Sequence, residues 1–292
     1  MSHTDRLQRF LFEEAPVRGA LVSLHDSWRQ VLSRKTYPQP VRDLLGEMMA
    51  AAALLGASLK FEGTLVLQMH GTGALRLAVV ECDNERCVRA TAKWEGNPVA
   101  QPVPQLLGAG GRFVMTLDPK VDNGQTWQGV VALEGNSVGE MLENYMRRSE
   151  QLDTRLILAA DGTRAGGLML QRMPDGQGDE DGWPRALSLA QTLKADELLQ
   201  LEPLEILRRL FHEESIRAFE AEPVTFACTC SRERVGGMLK MLGAQEAGSI
   251  LMEQGSIEIG CEFCNQRYVF DEDEVNELYQ LDVVAAAREA RH

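Results

Sequence analysis

The sequence has no apolar run long enough to cross a bilayer, no apolar segment ahead of a cleavage site near its start, and no surplus of positive charge. Its longest apolar stretch, MMAAAALLGASLKF at 48–61, falls short of the roughly 20 residues a span requires and reads as a buried helix. The opening MSHTDRLQRFLFEEAPVRG carries no signal-peptide core, which sets the expectation of a reducing, cytoplasmic location. The formal charge is −13, and residues 228–292 alone hold 6 basic against 12 acidic side chains, so phosphate backbones would be repelled. Neither nucleic acid nor membrane is expected as a partner. Aromatics are sparse at 6%, and no Ser/His/Asp or paired-carboxylate arrangement stands out, so no enzyme activity is expected. What is present, 44% hydrophobic and 25% charged residues over 292 positions, is enough for a folded protein of two domains.

Periodicity orders the first part of the chain. After YPQP at 37–40, Val41, Leu44, Leu45, Met48, Ala52 and Leu55 recur at helical spacing. The period then changes to two: Leu65, Leu67 and Met69 share one strand face, and Leu75, Leu77 and Val79 continue the alternation into a turn at CDNERC. GRFVMTLD and TWQGVVALEG predict another hairpin, with Asp122, Asn123 and Gly124 at its turn. Ser137 followed by Glu140 is a capping-box pattern that opens a helix, and TRLILAA and GGLMLQRM read as closing strands. The fold class is α+β: an N-terminal sheet-plus-helices domain at 1–175, a linker with amphipathic helices at 176–227, and a small C-terminal metal-binding domain at 228–292. PDGQGDEDGWP at 174–184 supplies the break between the first two. Within the linker, Pro203 suits a first helical position, and Leu204, Leu207, Leu210 and Phe211 form an apolar stripe with Glu205, Arg208 and Arg209 off it.

Four of the six cysteines stand in two tight pairs, Cys228 and Cys230, then thirty residues, then Cys261 and Cys264. Two short pairs brought together by a fold are the usual way to give zinc a tetrahedral sulfur shell, and Cys228, Cys230, Cys261 and Cys264 are the expected ligands of one Zn2+. CEFCNQRYVF has the form of a zinc knuckle, with a left-handed-tolerant Asn265 after the second cysteine. A closed four-cysteine shell leaves no position for a reactive water, which disfavours hydrolytic zinc chemistry. The segment from Cys228 is only 65 residues long and glycine-diluted, a size at which an apolar core is marginal. Structural zinc contributes about 10–16 kcal/mol in small peptides, so metal loss should unfold it. The spacing permits a reversible oxidant sensor as well as a purely structural site, because oxidants attack thiolates.

CTCSRER followed by C-x-x-C-x-x-x-Y resembles the redox-regulated thirty-three-kilodalton heat-shock chaperone family of bacteria, as do YPQPVRDLLGEMMAAAALL, YMRRSEQLDTRL and LRRLFHEE, in order over nearly the whole chain. Two departures stand out: Asn265 takes the place of the family's usual glycine, and Val235 stands where a further, non-ligand cysteine is common. The resemblance implies an ATP-independent holdase that binds unfolding proteins under oxidative stress and is inactive while reduced and zinc-bound. It further implies that oxidation pairs Cys228 with Cys230 and Cys261 with Cys264, releases zinc, and unfolds the C-terminal segment and linker. Oxidised monomers would dimerise, and clients would pass to ATP-driven foldases. The linker stripe at Leu204, Leu207, Leu210 and Phe211, with the surface it covers, is the expected client-binding candidate.

Other features read more plainly. Cys82 and Cys87 bracket DNER and are expected to be ordinary free thiols, a cross-strand pair being the alternative. GAGGRF at 108–113 lacks the lysine of a phosphate-binding loop and reads as a turn; His212 reads as a boundary residue and the acidic run at 271–274 as a helix start. Two other function classes stay open beside the chaperone: a thiol–disulfide oxidoreductase, which turnover with insulin would reveal, and a zinc-ribbon interaction module, which salt-dependent nucleic-acid binding would reveal.

Overall fold

A computed structural model describes residues 5–59, 62–120, 124–174, 178–179 and 181–280. It divides into two compact units, Met1–Ala227 and Cys228–His292. The first unit opens with strands β1 (Arg6–Phe12) and β2 (Val17–Leu24), helix α1 (Asp26–Leu32) and the long helix α2 (Gln39–Ser58). It continues through β3 (Gly63–His70), β4 (Leu75–Asp83), β5 (Cys87–Trp94), α3 (Val103–Leu107), β6 (Arg112–Pro119), β7 (Trp127–Val131), α4 (Val138–Ser149), β8 (Thr154–Ala160) and β9 (Ala165–Arg172). Three helices follow, α5 (Gly182–Ala190), α6 (Ala195–Gln200) and α7 (Pro203–Leu210). Three short strands end the unit, β10 (Ile216–Ala218), β11 (Glu222–Pro223) and β12 (Thr225–Phe226).

These strands make two sheets. The first runs β10-β1-β2-β9-β8 with β11 also on β1; the second runs β12-β5-β4-β3-β6-β7, antiparallel throughout except where β12 joins β5 in parallel. Helix α2 touches strands of both sheets, which is why it is apolar on every side rather than along one stripe. Ala50, Ala51, Ala52 and Ala53 are all fully buried and let the two sheets approach the helix backbone closely. Leu65, Leu67 and Met69 face this core as their alternation predicts. In β4 the expected face is reversed. A bulge between Leu75 and Leu77 shifts the register, so Ala78, Val80 and Cys82 turn inward while Leu77 and Val79 do not. Strands β1 and β2, for which periodicity gave no element, lie inside the first sheet.

The opposite face of the first sheet has its own core. Phe10, Phe12, Val17, Leu21, Leu168 and Leu170 are covered by Ala186, Ala190, Leu198, Ile206, Leu207, Leu210 and Phe211 from α5–α7 and the residue after α7. The Phe211 ring meets Phe12 edge-on at 5.1 Å and Phe10 at 6.1 Å. Pro203 begins α7 as its sequence position suggests, but the buried stripe is Pro203, Ile206, Leu207 and Leu210. Leu204 sits outside it at 47% exposure, because positions 203, 206, 207 and 210 complete one helical face and 204 is turned from it.

Local signals hold with adjustments. Ser137 caps α4 by accepting the Glu140 N–H, but the Glu140 carboxylate reaches back to the Asn136 N–H, one residue before the usual capping-box partner. GAGGRF forms a turn between α3 and β6, with Gly108 at φ 78 against Gly73, where a side chain would strike backbone. Asp122 and Asn123 of the expected hairpin turn, residues 60–61 of the apolar stretch, residues 175–177 and 180 of the break at 174–184, and residues 281–292 lie outside the described residues.

The second unit is α8 (Arg232–Leu242), α9 (Ala244–Gln254), the hairpin of β13 (Ile257–Gly260) with β14 (Arg267–Phe270), and α10 (Glu272–Tyr279). Among the described residues its buried core is seven side chains: Val235, Leu239, Ala247, Leu251, Ile257, Phe270 and Val275. The acidic run opens α10, with Asp271 and Glu274 exchanging the two hydrogen bonds of a capping box.

Candidate metal centre

The second pair of cysteines is positioned by the hairpin. Strand β13 ends at Gly260, the chain turns through Cys261–Asn265, and β14 returns from Arg267. Asn265 holds φ 58, the left-handed conformation that its small polar side chain tolerates. Its N–H donates to the Cys261 carbonyl at 2.8 Å, and the Cys261 N–H donates to the Gln266 carbonyl at 2.9 Å, closing the knuckle. The first pair lies on irregular backbone just before α8. Ser231 caps that helix by accepting the Arg234 N–H at 3.2 Å, and the Arg234 guanidinium donates to the Thr229 carbonyl between the two cysteines. Arg232 stacks 4.5 Å above the Phe270 ring and donates to the Val269 carbonyl, tying the start of α8 to β14.

The four sulfurs converge. All lie within 4.8 Å of one another, with Cys228 Sγ 3.6 Å from Cys261 Sγ and Cys230 Sγ 3.3 Å from Cys264 Sγ. A tetrahedron with metal–sulfur bonds of about 2.3 Å has edges of about 3.8 Å, and these separations bracket that value. All six cysteines are free thiols in this structure. The donor set therefore fits a soft or borderline divalent ion, zinc above all, in size and in chemistry.

The surroundings divide between the two pairs. Burial pushes the Cys264 thiol up to about 12, against a Gln266 N–H that favours its anion and three neighbouring sulfurs that do not. Burial raises Cys261 as well, partly offset by N–H donors from Cys264 and Phe263. Cys230 receives a side-chain donor instead: the Tyr268 hydroxyl lies 3.2 Å from its sulfur. Tyr268 was legible in sequence only as an apolar residue alternating along β14 and as the tyrosine of the motif. The register that places Ile259 beside it aims its hydroxyl at the cluster.

The remaining candidates fall elsewhere in the fold. Leu207, Leu210 and Phe211 are buried on the first sheet and Leu204 is exposed. Cys82 and Cys87 do not face each other. Cys82 pairs in register with Val88, points into the core and has its thiol pushed up to about 12 by burial, while Cys87 takes the other face with Sγ 3.7 Å from Thr225 Oγ1. His212 is exposed. Among the described residues no helix is long and apolar enough to cross a membrane.

Comparison with known proteins gives a consistent result. A family model described as Hsp33 protein matches residues 5–271. The 33 kDa chaperonin of Chromobacterium violaceum is 63% identical over 292 residues, spanning 100% of this chain and 99% of that protein. That of Neisseria meningitidis serogroup B is 48% identical over 291 residues, 99% of this chain and 96% of that one. The crystal structure of the Thermotoga maritima 33 kDa chaperonin superposes with a TM-score of 0.76 over 95% of this chain and 98% of the other, at 22% identity, a likeness of fold.

Proposed function

The chain belongs to the Hsp33 family of chaperones, and from that premise we propose that it is a redox-controlled, ATP-independent holdase whose switch is the four-sulfur cluster. The observation that carries the reading is the gathering of four thiols within 4.8 Å in a unit whose buried core is seven side chains. Zinc, when bound, supplies the positive charge that keeps four crowded sulfurs as thiolates and ties the residues before α8 to the β13–β14 turn. Cys228, Cys230, Cys261 and Cys264 would hold one such ion.

Oxidation proceeds within each pair, Cys228 with Cys230 and Cys261 with Cys264. One thiolate sulfur attacks a peroxide oxygen, the O–O bond breaks and hydroxide leaves; the second sulfur then displaces hydroxide from the first. Two electrons pass from the pair to the peroxide, one S–S bond forms, and with two protons two waters result. Sulfurs so paired no longer offer thiolates, and a core this small does not hold residues 228–280 folded without that tie. Melting of the unit removes the ordered anchor at the end of 176–227. Helices α5–α7 then loosen from the first sheet, exposing Leu207, Leu210 and Phe211 together with Phe10, Phe12 and Leu170 beneath them. Unfolding clients bind that surface, oxidised chains pair into dimers, and clients pass to ATP-driven foldases when reduction restores the cluster. The reaction belongs to the cytoplasm, where thiols begin reduced.

The test follows zinc, thiols and chaperoning together in the reduced protein. Peroxide with mild heat should release one zinc per chain, consume four thiols and turn on suppression of client aggregation. A protein that keeps its metal through loss of all four thiols, or that protects clients equally before and after peroxide, overturns the reading.

A further inference from the structure

Helix α2 stops at Ser58, but the first sheet runs on past it. Where the helix no longer covers the sheet there is a cavity of about 390 Å3, within the range of small-molecule sites. Its floor is apolar: Leu11, Ala20 and Met169 lie there, with Ala20 and Met169 directly paired across β2 and β9. The last turn of α2, including Ala57, forms one side, and Asn84 and Arg86 from the β4–β5 turn form another.

The charged groups around this floor are of one sign. Arg9, Arg18 and Arg86 line the cavity and, among the described residues, no carboxylate does. Glu222, on the short strand beside β1, pairs with both Arg9 and Arg86, and Arg18 is held by the neutral Gln171 oxygen at 2.9 and 3.1 Å. Two guanidiniums thus share one carboxylate, and the third rests on a neutral amide. The Arg86 Nε–H is buried without a hydrogen-bond partner among the described residues, and so is the amide oxygen of Asn84 beside it. An unpartnered buried donor of this kind is destabilising until an acceptor reaches it.

The backbone fixes Arg86 in place. It is a non-glycine residue at φ 62, a conformation that costs energy and is concentrated at functional sites. Asp83 holds the turn around it by accepting the N–H groups of Glu85 and Cys87 at 2.9 Å, and the Arg86 carbonyl accepts the Thr225 N–H. The guanidinium is therefore presented on a rigid turn over an apolar floor.

We propose that this cavity is a binding site for a small amphipathic carboxylate, an acyl chain of moderate length with an anionic head. The chain lies on Leu11, Ala20 and Met169. One carboxylate oxygen reaches Arg18 and the other accepts the Arg86 Nε–H, which must turn out of its buried position to meet it, while Asn84, with its amide turned over, offers a further donor. Phe219, exposed at the rim on the segment that follows α7, closes over the tail.

Octanoate titrated calorimetrically into the reduced, metal-loaded full chain tests this. One saturable site per chain is expected, with octanol and octylammonium at least tenfold weaker. Arg86→Gln should weaken octanoate tenfold or more, and Ala57→Leu should abolish it by filling the cavity. Should Arg86→Gln fail to fold with Glu222 left short of a partner, Arg18→Gln gives the same reading, since it strands no acid. No saturable heat, equal affinity for octanol, or unchanged octanoate binding in a folded arginine variant overturns the proposal.

Discussion

The two units solve the same problem with opposite means. Met1–Ala227 buries apolar side chains on both faces of its first sheet and around a helix with no polar side, so its order rests on area removed from water. Cys228–His292 buries seven among its described residues and draws four sulfurs to one point. A hydrophobic core degrades gradually under substitution, whereas a four-ligand cluster fails as a whole. On the proposed reading, placing the cluster in the unit with the smaller core would make thiol chemistry the trigger for its unfolding.

The sharpest break in that comparison is Cys261→Ser. Loss of one ligand should remove stabilisation on the order of 10 kcal/mol from residues 228–280. Backbone amides there should exchange freely, while those of α2 and β9 remain distinctly better protected even where α5–α7 loosen. Equal protection in both units would dissolve the distinction.

Phe211→Ala comes next. It deletes a 2%-exposed ring that packs on Phe10 and Phe12, at about 3–5 kcal/mol. Denaturant unfolding should report that loss in the first unit. The reduced, metal-loaded variant should already suppress client aggregation in part, because the cover is loosened without any oxidation.

Within the first unit, Glu47 is a polar exception on α2. Burial, and then the charge of Asp43, raises its pKa from 4.5 to about 7. A carboxyl raised in the fold favours its protonated form, so its contribution is full below about pH 4.5 and lost as pH climbs through 7. The difference amounts to about 3 kcal/mol at most. Glu47→Gln should therefore stabilise the first unit by up to that amount near pH 8 and change little near pH 5, as urea unfolding at the two pH values would report.

The smallest effect expected is that of Tyr268→Phe. Removing a hydroxyl 3.2 Å from Cys230 should weaken metal binding 10–100-fold, about 1.4–2.7 kcal/mol, in competition with a chromophoric chelator. The hairpin should stay folded, since Tyr268 keeps its backbone register with Ile259.

How much of this was legible beforehand depended on how local each signal is. The convergence of the four cysteines, the left-handed Asn265 and the start of α7 at Pro203 follow from spacing and single-residue preferences, and all were readable. Helix α2 announced itself by period, and its burial on all sides was already suggested by the alanine run. The face of β4 was misread because a bulge resets alternation and leaves no mark in composition. Ile206 was overlooked in favour of Leu204 because a leucine at the right spacing looks as buried as an isoleucine one turn round. Strands β1 and β2 escaped because arginines at 6, 9 and 18 interrupt their apolar pattern. Those side chains take the sheet's uncovered margins, and Arg9 and Arg18 line the cavity. The donor to Cys230 was invisible because it depends on which residues two strands place opposite each other.

One strand has consequences for both cores of the first unit. In β9 nearly every residue is buried, with Leu168 and Leu170 facing α5–α7 and Met169 facing α2. It is a partition one residue thick, with no slack between its two rooms. Were those helices to lift as proposed, the other side would lose the backing against which it is pressed, and the sandwich behind would soften in turn. A surface released that way can mould itself to whatever shape arrives.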